Sequence, residues 1–146
     1  MLSSLLVALS VILPIMNKDP GEVYDFSLVR KVHVLEFYFN GCPACNSNAA
    51  NVHSLAMDLD NHPVAQVLDV GIDRANSEYE DWIRKHSPTH PVLKDRDRHL
   101  AGLYSVRLYP TTIVLGCDNK VIYRNTGVWT SKATQEINAA VTQGVA

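Results

Sequence analysis

The sequence predicts a single α/β domain: a central mixed sheet of about four to five strands with helices on both faces. Strand-like and helix-like segments alternate along the chain, no repeat or linker interrupts them, and 146 residues is about one domain's length. A composition that is 47% hydrophobic and 19% charged can build a core without metals or structural staples. The formal net charge of -2 speaks against a nucleic-acid or anionic-membrane surface.

The chain opens with an apolar, uncharged run from Met1 to Met16, and its composition changes abruptly at Asn17-Lys18-Asp19-Pro20-Gly21. The run is shorter than the roughly 20 residues of a membrane-spanning helix and suits an export signal or a short anchor. No Lys or Arg precedes it, and its small-x-small site, Ala8-Leu9-Ser10, falls early. Residues 1–16 are therefore expected to be a leader or anchor, and 22–146 the folded domain, with a buried N-terminal helix as the other reading.

Val32 to Phe39 is β-branched, aromatic and nearly all apolar, the pattern of a strand covered on both faces, and Asn40-Gly41 ends it as a turn. Ala49, Val52, Leu55, Ala56 and Leu59 then recur at helical spacing, predicting a helix over 44–59. Val64 to Val70 reads as a second buried strand, and Ser77-Glu78-Tyr79-Glu80 as a capping box opening a helix that turns Trp82 and Ile83 inward. Pro88 and Pro91 break the chain before Val92-Leu93, and 97–104 suits a short helix with Leu100 and Leu103 on its apolar side. Thr111 to Gly116 and Lys120 to Arg124 form a predicted hairpin around Asp118-Asn119. A last helix over 131–142 would bury Ile137, Ala140 and Val141.

Chemistry concentrates at Cys42-Pro43-Ala44-Cys45, where a strand hands over to a helix. Thiols at i and i+3 in a first helical turn can close a disulfide, and the unpaired N–H groups there favour a solvent-facing Cys42 thiolate. Cys45 would then resolve a mixed disulfide by attacking Cys42. Zinc is the competing use of this spacing, but it needs two further ligands, and Cys117 and six scattered histidines offer no second close pair.

Glu36 stands in the middle of the apolar strand, where a carboxylate is costly without a task. With a raised proton affinity beneath the cysteines it could take the proton from Cys45; an exposed edge or a lysine partner is the plainer account. Tyr109-Pro110 precedes a strand, where proline removes a ladder donor. A cis bond there would turn the chain beside the cysteines and free the Tyr109 backbone for a client segment; a trans turn is the simple alternative. Cys117 reads as a small buried hydrophobe, the histidines as mostly surface residues with His90 nearest the site, and Trp82 and Trp129 as packing.

Glu36-Phe37-Tyr38-Phe39-Asn40-Gly41-Cys42-Pro43-Ala44-Cys45 together with Tyr109-Pro110-Thr111-Thr112 resembles the thioredoxin superfamily. Pro91 to Asp95, Leu100 to Val106 and Lys120 to Gly127 make it similar to the exported TlpA/ResA-type thiol-disulfide oxidoreductases over about Val32 to Val141. The resemblance implies a thioredoxin-like fold, a nucleophilic Cys42, a resolving Cys45, a buried acid at Glu36 and a cis Pro110 shaping a client groove with Tyr109. It also implies protein thiol-disulfide exchange, as a reductase in the bacterial periplasm, with no metal or organic cofactor. Partners would be client proteins with thiols or disulfides and a membrane-bound or exported redox protein, and no nucleic acid. Two departures stand out: Pro43-Ala44 replaces the Gly-Pro of cytoplasmic thioredoxins, and the segment before Val32 looks too short for the N-terminal hairpin of the TlpA/ResA group. A metal-binding or chaperone-like module remains the alternative of another class. A peroxidase on the same fold is disfavoured because Phe39, not threonine, stands three residues before Cys42.

Overall fold

In the computed structural model, which describes residues 9–146, the first β-strand lies inside the run expected to be a leader. Strand β1 (Ile12–Pro14) pairs antiparallel with β2 (Val23–Asp25), and a 3-10 turn, Phe26–Leu28, follows. Leu9, Val11 and Leu13 are buried in the same apolar cluster as Tyr24 and Phe26. The N-terminal hairpin is thus present, and Leu9 to Met16 is built into the domain; the expected leader's first eight residues lie outside the described ones.

The main sheet has the strand order β5-β4-β3-β6-β7. Strand β3 (Val32–Tyr38), buried at every position, lies at its centre, parallel to β4 (Ala65–Gly71) and antiparallel to β6 (Thr111–Leu115). Strand β5 (Val92–Lys94) continues parallel beyond β4, and β7 (Val121–Thr126) closes the other edge antiparallel to β6. This is the mixed α/β sheet expected, in a thioredoxin-like fold.

The two-residue period of β3 divides the core. Leu35 and Phe37 pack with the N-terminal hairpin and with Leu100 and Ala101 of α3 (His99–Leu103). Val32 and Val34 pack against α1 (Pro43–Asp58) and α4 (Ser131–Val145). Tyr38, on that second face, stacks on Trp82 of α2 (Asn76–His86), ring centroids 4.0 Å apart. Gly71 permits this approach, because a Cβ there would lie 2.6 Å from Tyr79 and 2.8 Å from the Tyr38 hydroxyl.

Three local expectations are corrected. Helix α2 begins at Asn76 with Ala75 as an N-cap that makes no side-chain bond, so the Ser77 capping box does not form. Glu78 instead accepts from Asn40 Nδ2, and Glu80 is exposed. Leu103 is 53% exposed because α3 ends there and only Leu100 and Ala101 face the core. Among the histidines only His99 is exposed; His33 and His90 are buried, and the rest are half-buried.

Candidate active site

Strand β3 ends at Tyr38, and the Asn40-Gly41 turn delivers the chain into α1 with Cys42 as its N-cap and Pro43 in the first turn, where the missing N–H costs nothing. The turn is anchored on three sides. Asp73 accepts from the Asn40 backbone N–H at 2.8 Å, Asp81 accepts from Asn40 Nδ2 at 2.9 Å, and Asn46 Nδ2 donates to the Asn40 carbonyl at 2.8 Å. Cys42 and Cys45 form a disulfide with a Cα–Cα separation of 5.2 Å.

The backbone N–H of Cys45 donates to Cys42 Sγ at 3.1 Å. A helix N-terminal donor aimed at this sulfur favours its anionic form once the disulfide opens. Tyr109-Pro110 is cis, and the Tyr109 carbonyl oxygen lies 3.8 Å from Cys42 Sγ. Cys42 is only 4% exposed, less open than the sequence implied, because the turn before β6 packs over it.

Glu36 is 3% exposed and lines a cavity of about 10 Å³ together with Cys45. That is about the room one water needs. The hydrogen bonds around the carboxyl have a fixed direction. Trp129 Nε1 donates to Thr112 Oγ1 at 2.7 Å, so the Thr112 hydroxyl spends its proton on Glu36 Oε1. Asn48 Nδ2 donates to Oε2 at 2.8 Å, while Asn48 Oδ1 accepts from the Trp129 backbone. Burial pushes Glu36 up to about 8; the Thr112 and Asn48 bonds work against that, and the neighbouring Asp69 adds to it.

Asp69 escaped the sequence reading. It pairs in register with Glu36 on β4, is itself buried, accepts from Trp82 Nε1 at 3.1 Å and stands 3.0 Å from His90 Nε2. The argument applied to Glu36, a charge inside an apolar strand, applies equally to Asp69 within Val64 to Val70. His53, His86 and His90 also line the cavity, which no spacing in the sequence indicates. Cys117 lies in the β6–β7 turn, half-buried against the α1/α4 cluster, away from this site. Among the described residues no three His, Cys, Asp or Glu side chains are grouped to hold a metal ion.

The AhpC/TSA family profile matches residues 10–124, most of the chain and every residue of this site described above except Trp129. The chain belongs to the AhpC/TSA family. The chain is 26% identical over 129 residues to sporulation thiol-disulfide oxidoreductase A of Bacillus subtilis (strain 168), covering 84% of this chain and 75% of that protein. The fold is shared with two solved structures. The pneumococcal exposed lipoprotein thioredoxin Etrx1 from Streptococcus pneumoniae strain TIGR4 has a TM-score of 0.76 and 20% identity, covering 91% of this chain and 98% of that one. StoA from Bacillus subtilis has a TM-score of 0.70 and 18% identity, covering 92% and 98%.

Proposed function

We propose that this thiol-disulfide oxidoreductase reduces client proteins outside the cytoplasm, with Cys42 as nucleophile, Cys45 as resolving thiol and Glu36 as the base that activates Cys45. The observation that carries this is the Cys42–Cys45 disulfide at the start of α1, with a helix N–H on Cys42 Sγ and the Tyr109 carbonyl beside it. From the reduced state, the Cys42 thiolate attacks a client disulfide, forming a mixed disulfide and expelling one client thiolate. Glu36 takes the proton from the Cys45 thiol, and the resulting thiolate attacks Cys42 Sγ. The Cys42–Cys45 bond forms, the Cys42–client bond breaks, and the second client sulfur leaves as a thiolate. Two electrons have passed to the client.

Tyr109 and Pro110 shape the groove where an extended client segment lies over Cys42. A membrane-bound or exported redox protein returns the electrons. Export to the bacterial periplasm is supported by the apolar start of the chain. Because Leu9, Val11 and Leu13 are core residues, removal of the whole of residues 1–16 is disfavoured.

The test is a pair of variants. Cys42→Ser should abolish turnover of a protein disulfide, and Cys45→Ser should trap clients as mixed disulfides. Full turnover by Cys42→Ser would reject the assignment, and hydroperoxide consumption outpacing disulfide reduction would favour the peroxidase alternative. A reduction potential near about -270 mV supports a reductase, and one near about -120 mV an oxidant.

A further inference from the structure

A client seated on Cys42 covers the front of the site at the moment Cys45 must lose its proton. Glu36 can accept that proton, but it is itself buried and must exchange it with solvent before the next cycle. The cavity shared by Cys45 and Glu36 extends to Asp69 and His90. His90 also lines a separate, wider cleft of about 290 Å³, and among the described residues it is the single one lining both. That cleft is bordered by Leu59, Asp60 and His62, past the C-terminal end of α1. A 16-residue helix is about 24 Å long, so the cleft stays open while a client occupies the Cys42 end.

We propose that Asp69 and His90 form a rear proton route between Glu36 and this cleft, the His90 ring being the gate between cavity and solvent. The proposal rests on the base role given to Glu36 above. His90 Nε2 is 3.0 Å from Asp69 Oδ1 but off the line of a hydrogen bond, and both ring nitrogens are buried without a hydrogen-bond partner among the described residues, so the ring has to turn to hand a proton to the cleft. The ring is therefore not locked into a purely structural bond. Its loop is nevertheless held in place, since Asn17 Nδ2 donates to the His90 carbonyl at 2.8 Å and Asn17 Oδ1 accepts from the Val92 N–H at 2.9 Å.

The titratable groups facing the cavity are Glu36 and Tyr38 from β3, Cys45 and His53 from α1, Asp69 from β4, His86 from α2 and His90, and the cleft on the other side of His90 adds Lys18, Lys31, Asp60 and His62. His86 is engaged by Asn46 Oδ1 at 2.8 Å, and the His53 ring lies 6.4 Å from that of His90. In the forward direction the proton passes from Cys45 Sγ to Glu36, then through one water to the Asp69–His90 pair, and, when the His90 ring turns toward the cleft, to bulk water. No electrons move in this relay.

The experiment follows formation and decay of the mixed disulfide between the reduced full chain and a labelled peptide disulfide by rapid quench. His90→Gln should leave the Cys42 attack within about twofold and slow the resolving step about tenfold, less than the larger loss from removing a direct general base. Added imidazole should restore the rate in proportion to its concentration, which a merely structural defect would not allow. Asp69→Asn should shift the pH midpoint of the resolving step downward, because the like charge beside Glu36 is gone. If His90→Gln does not fold, His90→Asn with and without imidazole takes its place. Resolution at the wild-type rate in His90→Gln, slowing that imidazole does not relieve, or an unmoved midpoint in Asp69→Asn overturns the route. Glu36→Gln in the same assay separates the two ideas: a slow Glu36→Gln beside a normal His90→Gln removes only the rear route, whereas a normal Glu36→Gln removes the base role itself.

Discussion

Replacing Glu36 by Gln should change how the stability of the oxidised protein depends on pH. Burial raises this carboxyl from an ordinary 4.5 to about 8. In the folded state it therefore keeps its proton between those values, while in the unfolded chain it has already lost it. Between about pH 4.5 and about pH 8 the native state binds more protons, so stability is full below the lower value and falls as pH rises through the window. At about 1.36 kcal/mol per pH unit the loss amounts to about 5 kcal/mol, with no discount for solvent because the group is buried. Glutamine cannot ionise and misplaces one donor against Asn48 Nδ2, so it adds a pH-independent offset. The assay is urea denaturation of both proteins from about pH 5 to about pH 9, taking the difference in unfolding free energy at each pH so that all other titrations cancel. The difference should slope in favour of Glu36→Gln by several kcal/mol as pH rises. A flat difference refutes the claim that Glu36 is a neutral buried acid, and with it the capacity to serve as a base near neutral pH.

The fold makes other measurable commitments. His33, buried against Tyr24 and Phe26, is pushed down to about 4 by burial first and by Lys31 second. The native state then holds fewer protons than the unfolded chain between about 4 and about 6.5, so about 3 kcal/mol of stability should be lost as pH falls through that window. His33→Phe should flatten this acid limb in denaturant titrations. Leu13→Ala should cost about 2 to 4 kcal/mol because Leu13 is a core residue. A shift near zero in the denaturation midpoint would mean that the N-terminal hairpin is not part of the cooperative unit. Gly71→Ala should cost about 1 to 3 kcal/mol through its clash with Tyr79 and Tyr38, read as a lower thermal midpoint.

The sequence by itself determined the elements and the reactive pair. The unbroken apolar run of β3, the turn after it and the helical spacing behind Cys45 are local patterns, and a C-x-x-C at a strand-to-helix junction places its own sulfurs, because one helical turn fixes their separation. Glu36 was legible because a charge inside an apolar strand contradicts its surroundings. The role of Leu9, Val11 and Leu13 was not legible. A short apolar run reads alike whether a membrane, an exporting machinery or a protein core will cover it, and only pairing with Val23–Asp25 decides.

Tertiary structure alone decided the surroundings of the carboxyl. Asp69 lies 33 residues from Glu36 in sequence and meets it only through the register of two parallel strands. His90 reaches Asp69 from a loop held by Asn17, and Thr112 and Trp129 arrive from the far half of the chain. Proton affinity depends on what lies within a few ångströms in every direction, and sequence spacing records only the direction along the chain.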